Sequence, residues 1–343
     1  MYEGLVLLDT SIGSENLGDY IIMESIFTEL EDITRDLNIP IYRIPTHIRI
    51  TPEIRSFLKN SFLKIFGGTN VFRLNYLPYP LKYNQWKIGF MDIKTVSPVS
   101  FFGVGTTTDV PDSPIKSIGY SIAVPYSKKM WSLVLSDDVP HSVRDKESLL
   151  LLRELGFENV YFTGCPTLWR IDKKTQRKTP KKKGDEVVFT ITDYVMDKVG
   201  HRFNLLLAEK LVKNYDVVNL WLQSPMDYPY AKLIVEKYPE IKIVPPRLKL
   251  YDDLLKSRNV DYVGTRLHGG IRALQFGRRA LIIAVDSRAL SFGRDFNLPV
   301  VPFEQVNRLD SVIWEKRKIK LKLPISHIKR FRRVLREVLV GYL

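Results

Sequence analysis

Between Asp261 and Arg288 the chain reads DYVGTRLHGGIRALQFGRRALIIAVDSR. An apolar run at Val260–Val263 is followed by a polar loop, by helical spacing from about Gly269 to Phe276, and by a second apolar run at Ala280–Val285. A strand, loop, helix and strand in this order pack by laying the two strands parallel with the helix across them. The stretch therefore commits the chain to a parallel sheet with helices on its faces. Arg266 and His268 fall where the strand gives way to the helix. Free N–H groups and the positive end of the helix dipole favour an anion there. Gly269 and Gly270 clear side chains from that turn, which is expected to let a ligand approach the backbone.

The same alternation recurs from the N-terminus onward. GLVLLDT (4–10) predicts a first strand, and IIMESIFTELEDI a helix, with Asn16, Gly18 and Asp19 in the loop at the helix mouth. Asp19 also fits a plain N-cap. PIYRIP predicts a second strand, and FLKIFGGTNVF a third that ends in Gly67, Gly68, Thr69 and Asn70. VSFFGVGTTTD ends in Gly103, Gly105 and Thr106, and the aromatic, proline-rich Tyr76–Trp86 stretch reads as a surface loop or lid. In HSVRDKESLLLLRELG a strand at His141–Arg144 leads to Asp145 as N-cap, a helix over Leu149–Leu155 and Gly156 as its stop. Arg144 thus sits at a strand's carboxyl end, although pairing with Asp145 or Glu147 at the surface would also explain an arginine there. After Cys165-Pro166 and a basic run, EVVFTITDY, DVVNLWLQS and IKIVPP alternate with three further helical patterns. The expected fold is α/β, with two doubly wound, Rossmann-like domains facing a cleft. Its expected parts are 1–169, a basic linker at 170–184, a second domain at 185–320 and a C-terminal basic amphipathic helix at 321–343.

Length agrees, since 343 residues suit two domains of about 150 each. The net charge of +14 allows nucleic acid, an anionic membrane surface or an acidic small substrate as partner. Part of it lies in RIDKKTQRKTPKKK (170–183), where no aromatics interleave, so a solvated linker is favoured over a nucleic-acid arm. In the tail, Ile325, Ile328, Phe331, Val334, Leu335, Val338 and Leu339 stripe one face and Lys329, Arg330, Arg332, Arg333 and Arg336 lie largely on the other. A packed helix is the expected outcome, and a helix lying on an anionic membrane is the sharper alternative. Glu3 and Asp9 interrupt the opening apolar run, no run approaches the roughly 20 residues of a membrane span, and Cys165 is the single cysteine. A cytoplasmic location is expected, with peripheral attachment to the inner face of the cell membrane as a variant.

Ligands of open α/β sheets bind beyond the strands' carboxyl ends. Asn16 and Asp19, Gly67–Asn70, Gly105, Arg144, Arg266 and His268 all fall at such ends. Two arginines and a histidine suit a small ligand carrying both carboxylate and phosphate, which guanidinium forks hold bidentately. His268 is the candidate acid or base, with His141 a secondary candidate through its nearness to Arg144. HExxH, cysteine clusters, a G-x-S-x-G elbow and a first-turn G-x-G-x-x-G are all absent, so metal, serine-nucleophile and dinucleotide chemistry are not expected.

Asn16-Leu17-Gly18-Asp19, Gly67-Gly68, Ser142-Val143-Arg144-Asp145 with Ser148, and Gly264-Thr265-Arg266-Leu267-His268-Gly269 together resemble the polysaccharide pyruvyl transferase family, in family order. The R-x-H-G and SVRD motifs are the specific ones. The resemblance implies a fold like that of GT-B glycosyltransferases and no cofactor. It implies phosphoenolpyruvate as donor, and as acceptor a hydroxyl pair on a saccharide or lipid-linked glycan. By motif match, Arg144, Arg266 and His268 would hold the donor. Asp19 is, apart from that match, a candidate to orient or deprotonate an acceptor hydroxyl. Three places depart from the family pattern. Thr69 replaces a frequent third glycine, Cys165-Pro166 an Asp-Pro, and Val285 and Arg288 the Tyr and Lys of a later motif, leaving Arg288 as a candidate substrate contact. A GT-B-type nucleotide-sugar glycosyltransferase is the alternative, against which stands the lack of any glutamate between Glu240 and Glu304. From a different class comes a basic nucleic-acid or membrane-surface binding protein with no active site.

Overall fold

The computed structural model describes residues 4–77, 84–106, 114–193 and 200–343. Among these the chain forms two compact units, one of 1–14, 22–166 and 324–343, the other of 15–21 and 167–323.

The first unit contains a six-stranded sheet, every pairing parallel: β1 (Leu5–Asp9), β2 (Ile41–Pro45), β3 (Leu63–Gly67), β4 (Val99–Val104), β5 (His141–Val143) and β6 (Val160–Phe162), in the order β2-β1-β3-β4-β5-β6. β1, β3 and β4 are buried along their whole length, which is why their sequences run apolar rather than alternating. The strand order reverses between β1 and β3, and this reversal marks the crevice where such sheets take ligands.

The second unit repeats the plan with β7 (Glu186–Thr190), β8 (Val217–Trp221), β9 (Lys242–Val244), β10 (Val260–Gly264), β11 (Ala280–Ala284) and β12 (Val300–Pro302), in the order β12-β11-β10-β7-β8-β9. All of these pairings are parallel as well. Here the order reverses between β7 and β10, so the loops after these two strands define the crevice.

Two places differ from the sequence expectations. The basic run is no bare linker: Asp172 caps a short helix, Lys173–Lys178, and Gln176 accepts the Leu321 N–H at 3.0 Å, tying the run into the second unit. Tyr76 and Trp86, expected in a surface loop or lid, are buried. Tyr76 stacks edge-on against Trp131 at 5.4 Å, and Trp86 packs on Phe66 at 5.0 Å, so the two ends of that stretch are core, while 78–83 lie outside the described residues. Large aromatic rings bury more area than almost any other side chain, and that outweighs the loop-like composition around them.

The C-terminal helix, Ile325–Gly341, belongs to the first unit. Ile328, Phe331, Leu335 and Leu339 are buried, with Phe331 4.9 Å from Phe102. Its basic side is also engaged: Arg332 pairs with Glu29, and Arg336 donates to the Ile33 carbonyl at 2.7 Å. The packed reading of the tail therefore holds for Ile328, Phe331, Leu335 and Leu339, which protein covers, while Ile325 at the start of the stripe is exposed.

Candidate functional site

The two units present separate groups of the residues singled out in the sequence.

In the first unit, Asn70, Gly105, Arg144 and Asp145 converge just beyond β3, β4 and β5. Arg144 is only 2% exposed; its Nη2 donates to Asn70 Oδ1, and its Nε lies 3.9 Å from Asp145 Oδ2. Asp145 caps the helix Lys146–Glu154 by accepting the Ser148 N–H at 2.8 Å. Burial pushes its carboxyl up from the ordinary range while the Arg144 charge pulls it down. Gly105 completes the group because nothing larger fits: a Cβ there would overlap Arg144 Nε and lie 2.8 Å from Asn70 Oδ1. The Gly105 N–H donates to the Thr69 carbonyl at 2.8 Å. Thr69 holds a left-handed φ of 58°, uncommon for a residue with a Cβ, and its buried Oγ1 has no hydrogen-bond partner among the described residues.

The double glycine before it has another explanation than ligand approach. A Cβ on Gly68 would overlap Ile22, and one on Gly67 would lie 2.8 Å from the Met23 sulfur, so both let the helix Leu17–Thr34 pack tightly on the end of β3. His141, the secondary candidate, is a core histidine. It is fully buried, accepts the Phe101 N–H on Nδ1 at 3.2 Å and bonds the Ser136 carbonyl through Nε2 at 2.9 Å. Burial pushes its imidazole down to about 4, so it stays neutral at physiological pH and serves the core rather than the site.

In the second unit, Arg266 and His268 occupy the reversal point between β7 and β10. The helix there runs Leu267–Gln275, so Arg266 is its N-cap residue and the buried His268 stands in its first turn rather than in a preceding loop. Arg266 is braced on three sides. Its Nε donates to the Ile191 carbonyl at 3.0 Å, and its Nη2 donates to Asp193 at 2.8 Å and to Asp227 at 2.6 Å. Asp227 also accepts the backbone N–H groups of Gln223 and Ser224, at 3.1 and 3.0 Å. Burial pushes the Asp227 carboxyl up, against the lowering pull of the Arg266 guanidinium. Tyr262 holds the same turn from below, its hydroxyl donating to the Arg266 carbonyl at 2.7 Å.

Beside this turn lies a polar group that the sequence reading did not single out. Gln223, two residues past β8, donates through Nε2 to Asn16 Oδ1 at 2.9 Å, while its own buried Oε1 has no partner among the described residues. A Cβ on Gly269 would lie 3.1 Å from that oxygen, and one on Gly18 would lie 2.9 Å from Gln223 Nε2. Asn16, Gly18, Gln223 and Gly269 therefore form one cluster, with Asp19 buried alongside and its N–H on the Asn16 carbonyl at 3.0 Å. The signal for Gln223, Asp193 and Asp227 was positional, since each follows a parallel strand's carboxyl end. Gly270 is a packing glycine, as its Cβ would overlap Ile282. Arg288 stands apart, its Nε and Nη2 donating to Asp286, the N-cap of the helix Ser287–Phe296. No cluster of three or more metal-ligating side chains occurs among the described residues.

Two parallel-sheet units, each with polar side chains gathered beyond its strands' carboxyl ends, define an α/β protein of GT-B-like architecture. The same fold is seen in a UDP-N-acetylglucosamine 2-epimerase, with a TM-score of 0.53, 11% sequence identity and coverage of 99% of this chain and 96% of that one. S. aureus MnaA, solved with UDP, matches at a TM-score of 0.50 and 11% identity, covering 97% and 98%. No curated protein sequence matches the chain. The family model of the polysaccharide pyruvyl transferases matches residues 16–287, and the chain belongs to that family of transferases.

Proposed function

We propose that the protein moves the pyruvyl group of phosphoenolpyruvate onto two hydroxyls of a saccharide or lipid-linked glycan, forming a cyclic ketal and releasing phosphate. The observation that carries this reading is His268: a buried imidazole in the first turn of a helix, at the sheet's reversal point, within a match to the pyruvyl transferase family.

The donor's methylene carbon must gain a proton before the neighbouring carbon accepts a hydroxyl. An imidazolium at His268 supplies that proton. Two C–O bonds then form at the neighbouring carbon as its bond to phosphate breaks. Of the two hydroxyl protons released, one restores His268 and the other leaves with phosphate. Arg144, a buried guanidinium with Asn70 as one partner, offsets negative charge on the donor. Arg266, already bonded to Asp193 and Asp227, acts chiefly by fixing the turn that carries His268. Asp19 is the candidate to orient an acceptor hydroxyl.

Similarity in fold to a UDP-bound structure makes a nucleotide-sugar reaction the reading to test against. Thermal-shift titration separates the two. Phosphoenolpyruvate should raise the melting temperature of the wild type and not of Arg144→Ala. Stabilisation by UDP- or GDP-sugars with none by phosphoenolpyruvate would replace this proposal with glycosyl transfer.

A further inference from the structure

The first unit contains a cavity of about 160 Å³, lined by His47, Asn70, Val71, Arg73, Asn84 and Gln85. It lies past the carboxyl ends of β2 and β3, which flank β1 at the reversal of strand order. At roughly 30 Å³ per water it has room for about five, close to the bulk of one sugar ring and too small for a nucleotide. His47, Arg73 and Gln85 are only half-buried, so the cavity reaches solvent.

Its chemistry selects the ligand. Three carboxamides line it, and each can both donate and accept, as sugar hydroxyls do. Gln85 Oε1 is buried without a partner among the described residues, and the hydroxyls of Thr46 and Thr69, each next in the chain to a lining residue, are likewise orphaned. An unsatisfied acceptor needs a donor. A hydroxyl brings one, whereas a fully ionised phosphoenolpyruvate brings none. His47 Nε2 bonds the Thr10 carbonyl at 2.9 Å, which makes that nitrogen the N–H and leaves Nδ1 as an acceptor. Val71 provides an apolar face for the C–H side of a ring. Asn70 joins the cavity to Arg144: with Oδ1 taken by the guanidinium, its NH₂ is the donor it can present.

We infer that this cavity is the subsite for the acceptor's sugar ring, held by Gln85, Asn84 and His47 and reaching Arg144 through Asn70. The inference rests on the pyruvyl-transfer reading for its role, but sugar binding is measurable without it.

Saturation-transfer NMR on the full chain, without phosphoenolpyruvate, uses a panel of methyl glycosides of glucose, galactose, mannose and N-acetylglucosamine. The wild type should transfer saturation to the ring protons of at least one of them, and Gln85→Leu should abolish it. With that sugar as acceptor, Gln85→Leu should raise its KM by about tenfold, the loss of one hydrogen bond, and leave the KM for phosphoenolpyruvate unchanged. His47→Ala gives the same readouts should Gln85→Leu lower the melting temperature. No transfer to any sugar by the wild type, or transfer undiminished in both variants, would overturn the subsite. Sugar binding lost in the variants, in a protein that never transfers pyruvyl, supports the subsite and removes only the reaction. Pyruvyl transfer with an unchanged acceptor KM in the variants does the reverse.

Discussion

Replacing Gly105 by alanine adds one methyl at the point where Asn70, Arg144 and Asp145 meet. The backbone of Gly105 does not have a left-handed φ, so the effect is steric alone. The new Cβ would overlap Arg144 Nε and lie 2.6 Å from Asp145 Oδ2 and 2.8 Å from Asn70 Oδ1. Arg144 is 2% exposed and has no solvent to swing into, so the guanidinium must leave its bond to Asn70. A hydrogen bond to a charged group contributes about 1.5–3 kcal/mol, and losing the aligned charge should raise the KM for phosphoenolpyruvate by roughly 10- to 150-fold. Initial rates of phosphate release measure this, with a melting curve to show that the variant is folded. A folded Gly105→Ala enzyme with the wild-type KM for phosphoenolpyruvate would refute the assignment of Arg144 to the donor. Asn70→Ser, which withdraws the partner without adding bulk, should move the same parameter in the same direction.

Other perturbations test separate parts of the account. His268→Ala should lower turnover by about 10²–10⁴-fold, the range for a lost general acid, with the melting temperature little changed; near-normal pyruvate transfer would remove His268 from the mechanism. His141 titrates near 4 in the folded protein and near 6.5 when unfolded, so between these values the unfolded chain holds more protons. Stability is complete above about pH 6.5 and falls as pH drops towards 4, by roughly 3 kcal/mol at about 1.4 kcal/mol per pH unit. Urea titrations across that window should show the loss, and a His141→Gln variant with the same pH slope as the wild type would contradict it. Phe331→Ala should cost about 3–5 kcal/mol and expose the C-terminal helix to proteolysis, and a variant as stable and protease-resistant as the wild type would show that this helix is not held by its buried face.

Much of the architecture was legible because parallel strands buried on both faces leave apolar runs that little else produces. The run Val260–Val263 and the loop after it placed Arg266 and His268 just past a strand's carboxyl end, and the structure has Arg266 there, with His268 further on in the helix's first turn. What surrounds Arg266 was not legible. Its partners Asp193 and Asp227 lie 73 and 39 residues away in the chain, and local spacing carries no information about such pairs. Gly67 and Gly68 looked like a ligand-binding turn because close helix packing and close ligand approach demand the same missing Cβ. The tail posed a similar ambiguity: an amphipathic stripe is the same whether a sheet or a bilayer covers it, and only the contact of Phe331 with Phe102 decides.

The central claim is a transfer of carbon, and carbon can be followed. Phosphoenolpyruvate labelled with carbon-13 at its second carbon, incubated with the enzyme and a saccharide acceptor, should yield a labelled quaternary carbon bonded to two sugar oxygens, in step with phosphate release. Label recovered only as phosphoenolpyruvate or free pyruvate across an acceptor panel, beside glycosyl transfer from a nucleotide sugar, would contradict it.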